Sequence, residues 1–253
     1  MKSAIKPDPW QPLGAWTAAR IALGRAGAAL PTRAVLDFDI AHALARDAVH
    51  QPLDVSSLMA GCREQLARDV VVVHSRAGDR TTYLQRPYLG RRLDAAGVAA
   101  LGERPGPCEL AIVIADGLSA TAVQAHVIPL LQALLPLLDG LRMAPLVIAE
   151  QGRVALGDEI GALMGARLVL ILLGERPGLS APDSLGAYLT FAPQVGRLDA
   201  ERNCVSNIRD GGLPPEAAAR KLAWLVRAAL ACRLTGVSLK DDSEAPPVTA
   251  IVS

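Results

Sequence analysis

Polar and glycine-rich segments follow several apolar runs of this 253-residue chain, and they contain the side chains best suited to bind or transform a ligand. These segments are Asp116–Ala120, Gln151–Gly161, Gly174–Leu179 and Asp199–Gly212. In a doubly wound α/β fold, ligands bind at the carboxyl ends of the strands, where such segments lie. The glycine-bearing loops 151–161 and 174–179 follow strands that we interpret as neighbours, so their exposed backbone favours contact with a large ligand.

Each segment also has a plainer interpretation. Ser119 is well placed to cap a following helix. Glu175 next to Arg176 is, by base rate, more often a solvated ion pair than a binding residue. An isolated cysteine such as Cys204 is normally a small core residue, but the density of donors and acceptors around it indicates a surface that faces something polar and extended.

The sequence contains none of the common motifs of an independent catalytic centre. It has no GxGxxG after a strand, no GxxxxGK[ST], no HExxH and no GxSxG. Its four histidines are interpreted as surface or capped residues rather than catalysts. Its four cysteines form no CxxC pair, so neither a zinc site nor a disulfide framework is predicted.

Composition excludes several classes of partner. The 26 Lys and Arg nearly balance the 25 Asp and Glu, and the charges are dispersed, so no nucleic-acid or anionic-membrane surface is predicted. Mean hydropathy is high at +0.28. The longest apolar run, 127–138, is interrupted by Pro129, Gln132 and Pro136, and we therefore predict no membrane span. With Arg20 and Arg25 interrupting the N-terminal apolar run, the cytoplasm is the expected compartment.

Periodicity predicts a helical segment followed by an α/β domain. Residues 13–66 read as helices only, at Ala15–Leu30, at Thr32–His50 with Thr32 as its cap, and after Asp54. Strands are predicted at Val70–His74, Leu110–Ala115, Pro145–Ala149, Leu168–Leu173 and Ala187–Phe191, and helices at Ala120–Leu138, Leu156–Met164 and Pro214–Thr235. Nearly unbroken apolar strands require a sheet covered on both faces. We predict a doubly wound, mostly parallel, Rossmann-like sheet at 69–253, preceded by a helical segment at 1–68.

Five stretches that together cover most of the chain resemble the small (light) subunit of ethanolamine ammonia-lyase. They are Thr17–Asp54, Arg80–Asp94, Val113–His126, Ala155–Leu189 and Asp199–Leu222. The combination of GDEIG, GERPG and RNCVSNIRDGG in this order is highly specific for that family.

The resemblance implies a subunit that binds adenosylcobalamin at its interface with a barrel-forming large subunit. The large subunit then holds the substrate, and several copies of each subunit assemble. Together they convert ethanolamine to acetaldehyde and ammonia, so we expect no substrate catalyst in this chain. Because some relatives carry a longer N-terminal extension associated with bacterial microcompartments, encapsulation of this protein stays open.

The resemblance assigns the cofactor contacts to Val154, Glu175 and Cys204. The corrin periphery carries primary amides, for which a carboxylate such as Glu175 or the backbone carbonyl of Val154 is a suitable acceptor. A D-x-H-x-x-G motif, which would replace the cofactor's benzimidazole by histidine, does not occur in the sequence. We therefore expect the benzimidazole to stay on cobalt, with no metal ligand from this chain.

Two alternatives remain open at this point. One is a non-catalytic scaffold with the same fold that contacts no cofactor. The other is a free-standing enzyme with a nucleotide in the crevice of the sheet, which the missing phosphate-binding loop disfavours.

Overall fold

A computed structural model describes residues 5–102 and 107–243, and its central feature is a six-stranded sheet flanked by helices. The strands are β1 (Val70–His74), β2 (Cys108–Ala115), β3 (Leu146–Glu150), β4 (Ala166–Gly174), β5 (Leu185–Phe191) and β6 (Arg202–Ile208). The α-helices are α1 (Thr32–His50), α2 (Val55–Leu66), α3 (Arg80–Gln85), α4 (Ala95–Gly102), α5 (Ala120–Leu134), α6 (Leu156–Leu163) and α7 (Pro215–Cys232). The α/β class is therefore confirmed.

The sheet is mixed, and this corrects the predicted architecture. Its strand order is β1-β3-β2-β4-β5-β6, with parallel pairing from β1 to β4 and antiparallel pairing of β5 with both β4 and β6. The doubly wound, Rossmann-like interpretation is not confirmed. It followed from the apolar character of the strands, which reports burial but not direction.

The five predicted strands are present with ends that differ by at most two residues, whereas β6 was missed. The segment 199–212 was interpreted as a polar loop because Arg202, Asn203, Ser206 and Asn207 obscure the alternation expected of a strand. In the structure, Val205 and Ile208 of this strand point into the core. Two short helices, α3 and α4, were also missed.

The helix predicted at Ala15–Leu30 is wrong. Residues Gln11–Trp16 form a 3-10 helix, and positive φ angles at Ala22, Gly24 and Gly27 prevent a continuous helix afterwards. Helix α1 has the predicted bounds, but Pro31 occupies its N-cap position and Thr32 makes no cap hydrogen bond. Helix α2 begins after Asp54, whose side chain accepts from the Ser57 backbone amide.

The two faces of the sheet are covered unequally, and this asymmetry positions the candidate site. One face packs against α2, α5 and α7 in a single apolar cluster that includes residues of β5 and β6. The other face packs against α4 and α6 in a second cluster, to which β5 and β6 contribute no fully buried residue. We call the part of this side formed by Gly186 and Tyr188 of β5 and Cys204 of β6 the open face; Tyr188 is half-buried and Cys204 is exposed. The boundary proposed near residue 68 stays a prediction.

One segment, Ala120–Leu138, is long and apolar enough to span a membrane by length and composition, contrary to the prediction that no segment would be. It comprises α5 and a following 3-10 turn. Leu130, Leu131 and Leu134 are fully buried against the sheet and α7. These leucines therefore lie in the protein core, whereas Leu137 is exposed.

Candidate functional site

Tyr188 lies at the centre of the open face. It pairs with Ile171 of β4 on one side and with Cys204 of β6 on the other. Directly paired residues of adjacent strands project to the same face of a sheet. Ile171 is buried in the cluster under α6 and Tyr188 packs partly against it, so Cys204 also lies on the α6 side, where it is exposed.

Glu175 follows β4 directly and turns back over the open face. Its Oε2 accepts hydrogen bonds from the Ser184 hydroxyl and from the Asn207 backbone amide at 3.1 Å. Its other oxygen, Oε1, has no hydrogen-bond partner within residues 5–102 and 107–243. The carboxylate lies over Gly186, where a Cβ atom would come within 2.8 Å of Oε1. A glycine on β5 is therefore needed for Glu175 to reach this position.

Val154 lies in the loop between β3 and α6 and is half-buried. It packs against the same apolar cluster as Tyr188. The structure thus places the three residues chosen from the sequence on the same side of the sheet, although they do not all lie in loops at the carboxyl ends of strands. Cys204 lies within β6, and β3 and β4, which precede Val154 and Glu175, are separated by β2. Their contact with a cofactor stays a prediction.

The environment of Cys204 and Tyr188 disfavours ionisation of both side chains. Desolvation raises the pKa of the Cys204 thiol, an effect that a hydrogen bond with Tyr188 opposes and the Glu175 carboxylate reinforces. Desolvation likewise raises the pKa of Tyr188, as do the neighbouring Cys204 and Glu175. Both groups are therefore protonated at neutral pH, and Cys204 is suited to packing and weak hydrogen bonding rather than to nucleophilic attack.

Two ion pairs that sequence reasoning missed hold α6 against its surroundings. Arg202, buried on β6, donates to Asp158 of α6 at 2.6 Å and to Thr190 at 3.0 Å. Arg92 forms a bidentate pair with Glu159 of α6, at 2.9 and 3.0 Å. The available signal was the adjacent acidic pair in the GDEIG motif, since buried carboxylates need partners elsewhere in the chain.

A third missed residue, Arg80, joins three segments at the carboxyl end of the parallel strands. Its Nε donates to the Val49 carbonyl at the end of α1, at 2.7 Å. One terminal nitrogen donates to the Gly117 carbonyl at 2.8 Å and contacts Asp116 and Gln151 at 3.3 Å each. The carboxylate of Asp116 also accepts from the Gly152 backbone amide at 3.0 Å. Arg80 therefore fixes the loops on which Val154 depends.

Gly152 and Gly174, in the two predicted ligand loops, serve internal packing, which corrects the prediction that their backbone is open to a ligand; Gly178 of the second loop is exposed. A Cβ on Gly174 would lie 2.0 Å from the Ser119 carbonyl oxygen, and one on Gly152 would lie 2.8 Å from the Ala115 Cβ. In addition, Leu118 donates to the Gly174 carbonyl at 2.8 Å. The backbone turns after β2 and β4 are therefore in direct contact.

The plainer interpretations have mixed outcomes. Ser119 caps α5 through a hydrogen bond from the Ala122 amide, as expected. Glu175 bonds Ser184 and Asn207 and, in the described chain, forms no ion pair with Arg176. His126 is buried rather than at the surface, with its Nε2 3.4 Å from Asp183. The described residues contain no group of three or more His, Cys, Asp or Glu arranged to hold a metal.

Fold and site together define an α/β protein with a mixed sheet, one face of which is partly open and flanked by Val154, Glu175 and Cys204. Residues 7–240 match the family model described as "Ethanolamine ammonia-lyase light chain (EutC)". The chain belongs to this family.

Similar curated proteins support the same assignment. A protein of Bradyrhizobium diazoefficiens is 57% identical over 95% of this chain and 93% of its own length. A protein of Azotobacter vinelandii is 55% identical over 96% of this chain and 92% of its own. A third, of Ralstonia nicotianae, is 51% identical over 98% and 94%. Each is named "Ethanolamine ammonia-lyase small subunit".

Proposed function

We propose that this small subunit binds adenosylcobalamin on the open face, at its interface with the large subunit, in the cytoplasmic conversion of ethanolamine to acetaldehyde and ammonia. When bound, the cofactor supplies the radical chemistry. The part of this chain is to bind and orient the corrin ring and to exclude water from it, with the benzimidazole left on cobalt.

The observation that carries the proposal is the unused Oε1 of Glu175 beside Cys204 and Tyr188. A carboxylate oxygen held in place by two hydrogen bonds on its partner oxygen is a preorganised acceptor, and the primary amides of a corrin are donors. The neutral thiol of Cys204 offers a compact contact where a longer side chain would collide with the ring. These groups fit the large, neutral periphery of a corrin ring better than they fit a small charged substrate.

The N-terminal segment supplies a surface suited to the large subunit. Leu36, Ile40 and Leu44 repeat every four residues on α1 and are 55–61% exposed, while Trp16 is 89% exposed. Exposed apolar stripes of this kind mark protein interfaces. We propose the large subunit as the occupant, because the relatives are named as small subunits of one enzyme.

Co-expression with the large subunit tests the function directly. The purified complex should retain a corrinoid through gel filtration, with the absorption bands of base-on cobalamin. A complex that retains none would favour the non-catalytic scaffold. Deamination of ethanolamine by this chain alone would favour the free-standing enzyme.

Replacing Glu175 by alanine is expected to weaken cobalamin binding to the complex by about 1–3 kcal/mol, because one desolvated acceptor is lost. The dissociation constant is measured by titrating the apo-complex with cobalamin and following the corrin absorption. Glu64→Ala, on the exposed side of α2, is the matched control and should leave the affinity unchanged. An unchanged affinity of the Glu175 variant would remove Glu175 from the site, and a large drop in melting temperature would assign it a structural role.

A further inference from the structure

An arginine-rich pocket lies next to the open face, beyond Val154. Its volume is about 270 Å³, and its lining includes Arg91, Arg153, Arg197, Arg202, Val154 and Asp199. A larger cavity, of about 430 Å³, is lined by the N-terminal segment and α1 and contains a mixture of apolar and charged groups. Only the smaller pocket combines several cations with one of the predicted cofactor contacts.

Two of the four arginines are already neutralised. Arg202 pairs with Asp158, as described above, and Arg197 pairs with Glu201 at 2.5 Å. Asp199 is fully exposed, with its carboxylate 3.5 Å from Arg202. Both arginines are therefore compensated within the chain, and the exposed Asp199 leaves one carboxylate in excess among these residues.

Within residues 5–102 and 107–243, the side chains of the other two arginines have no acidic partner. Arg153 lies with its guanidinium 4.2 Å from the centre of the Tyr83 ring, and its Nε is buried without a hydrogen-bond partner. Its remaining contact is a long one, 3.4 Å to the Tyr83 carbonyl. Arg91 is exposed, and among the described residues its side chain forms neither an ion pair nor a hydrogen bond, although its backbone amide donates to the Tyr88 carbonyl. The guanidinium of Arg153 therefore keeps hydrogen-bonding capacity that the described residues do not use.

The backbone adds to the positive potential of the pocket. Val154 and Ala155 precede the first turn of α6, so the positive end of that helix lies at the pocket. Asp158 and Glu159 in the first turn of α6 are neutralised by Arg202 and Arg92. Two uncompensated guanidinium groups and a helix N-terminus together are suited to a singly charged oxyanion such as a phosphodiester.

The pocket and the open face are continuous along β6. Arg202 lines the pocket, Cys204 lies two residues further along the same face, and the Asn207 amide binds Glu175 near the other end. Five residues of extended strand span about 17 Å. A single large ligand can therefore contact the pocket and the open face together.

We propose that this pocket binds the phosphodiester in the nucleotide tail of cobalamin, with Arg91 and Arg153 as its cations. This inference rests on the proposed function, since it requires the corrin to lie on the open face. The corrin rim presents neutral amides, whereas the phosphodiester is the anionic group of the nucleotide tail. The arginines and Glu175 would thus recognise two chemically different parts of one cofactor.

The test compares two corrinoids that differ in this group. The apo-complex of both subunits is titrated in phosphate-free buffer with cobalamin and with cobinamide, which lacks the phosphodiester and the nucleotide, and binding is followed by corrin absorption. Arg91→Ala should lower the affinity for cobalamin at least about tenfold, the size of one charge-assisted hydrogen bond. The affinity of the Arg91→Ala complex for cobinamide should change by less than about twofold. Arg153→Met should show the same preference.

Arg220→Ala is the control, because Arg220 is an exposed arginine on α7, which covers the opposite face of the sheet. An equal loss for both corrinoids would overturn the proposal and assign the pocket to a carboxylate of the large subunit or to the corrin itself. The proposal would also be overturned if the variants showed no loss at all. A loss that appears only after inorganic phosphate is added would overturn it too, since it would assign the pocket to a free anion. Failure of the proposed function is distinct, since the unmodified complex would then bind neither corrinoid.

Discussion

Arg80→Met is expected to lower the free energy of unfolding of the full chain by about 3–5 kcal/mol, the cost of breaking a buried ion pair by removing one partner. The side chain of Arg80 is 14% exposed and that of Asp116 is 3% exposed. The substitution keeps much of the apolar stem but leaves the Asp116 carboxylate and the Val49 and Gly117 carbonyls without this donor. Urea denaturation followed by circular dichroism measures the loss.

The destabilisation should grow with pH. Burial raises the pKa of Asp116 above its ordinary 3.8, and Arg80 opposes that rise. Without Arg80 the pKa of the folded-state carboxyl rises further, so the folded variant holds a proton that the unfolded chain releases. Stability from such a group is fully present below the unfolded pKa and is lost as pH rises through the folded pKa. The deficit relative to the unmodified chain should therefore be larger at about pH 8 than at about pH 5.

Two further variants separate this role from a general effect of removing a charge. Arg33→Met removes an arginine that is 93% exposed and pairs loosely with Asp37 at 3.8 Å, and it should change stability by less than about 1 kcal/mol. Asp116→Asn, combined with Arg80→Met, removes the unpaired charge and should recover part of the loss. If Arg80→Met costs no more than Arg33→Met, Arg80 does not hold the three segments together.

Gly174→Ala is expected to destabilise the full chain by at least about 3 kcal/mol, at the upper end of the range for overpacking. The new Cβ would lie 2.0 Å from the Ser119 carbonyl oxygen and 2.5 Å from that of Asp116. Both are backbone atoms of the turn between β2 and α5, so a change of side-chain rotamer relieves neither contact. The melting temperature and the urea midpoint report the effect.

Gly178→Ala is the matched control for this substitution, since it lies in the same GERPG segment. A Cβ there would be 3.7 Å from the nearest atom, the Ala181 carbonyl oxygen, which is an ordinary contact. We expect a change within about 0.5 kcal/mol. Equal stability of the two variants would show that the close approach of the two turns is not required.

Several features follow directly from the amino-acid pattern. The apolar runs located five strands, and the bounds of α1 and the cap of α5 were predicted from periodicity and from Ser119. These features depend on burial and on local backbone hydrogen bonds, which neighbouring residues determine. The motifs GDEIG, GERPG and RNCVSNIRDGG were also sufficient to indicate the family, which the comparison with known proteins confirms.

The candidate site, in contrast, depends on contacts between distant parts of the chain. Tyr188 and Cys204 meet because β5 and β6 pair in antiparallel register. Strand β6 itself is stabilised by pairing and by two buried apolar side chains rather than by a recognisable alternation. Gly174 was predicted to face a ligand and instead contacts the turn before α5. Strand direction and strand order follow from which surfaces become buried together, and that choice is made only when the whole sheet assembles. Tertiary packing therefore decided that Cys204 remains exposed on the α6 side of the sheet, with Glu175 and Tyr188 beside it.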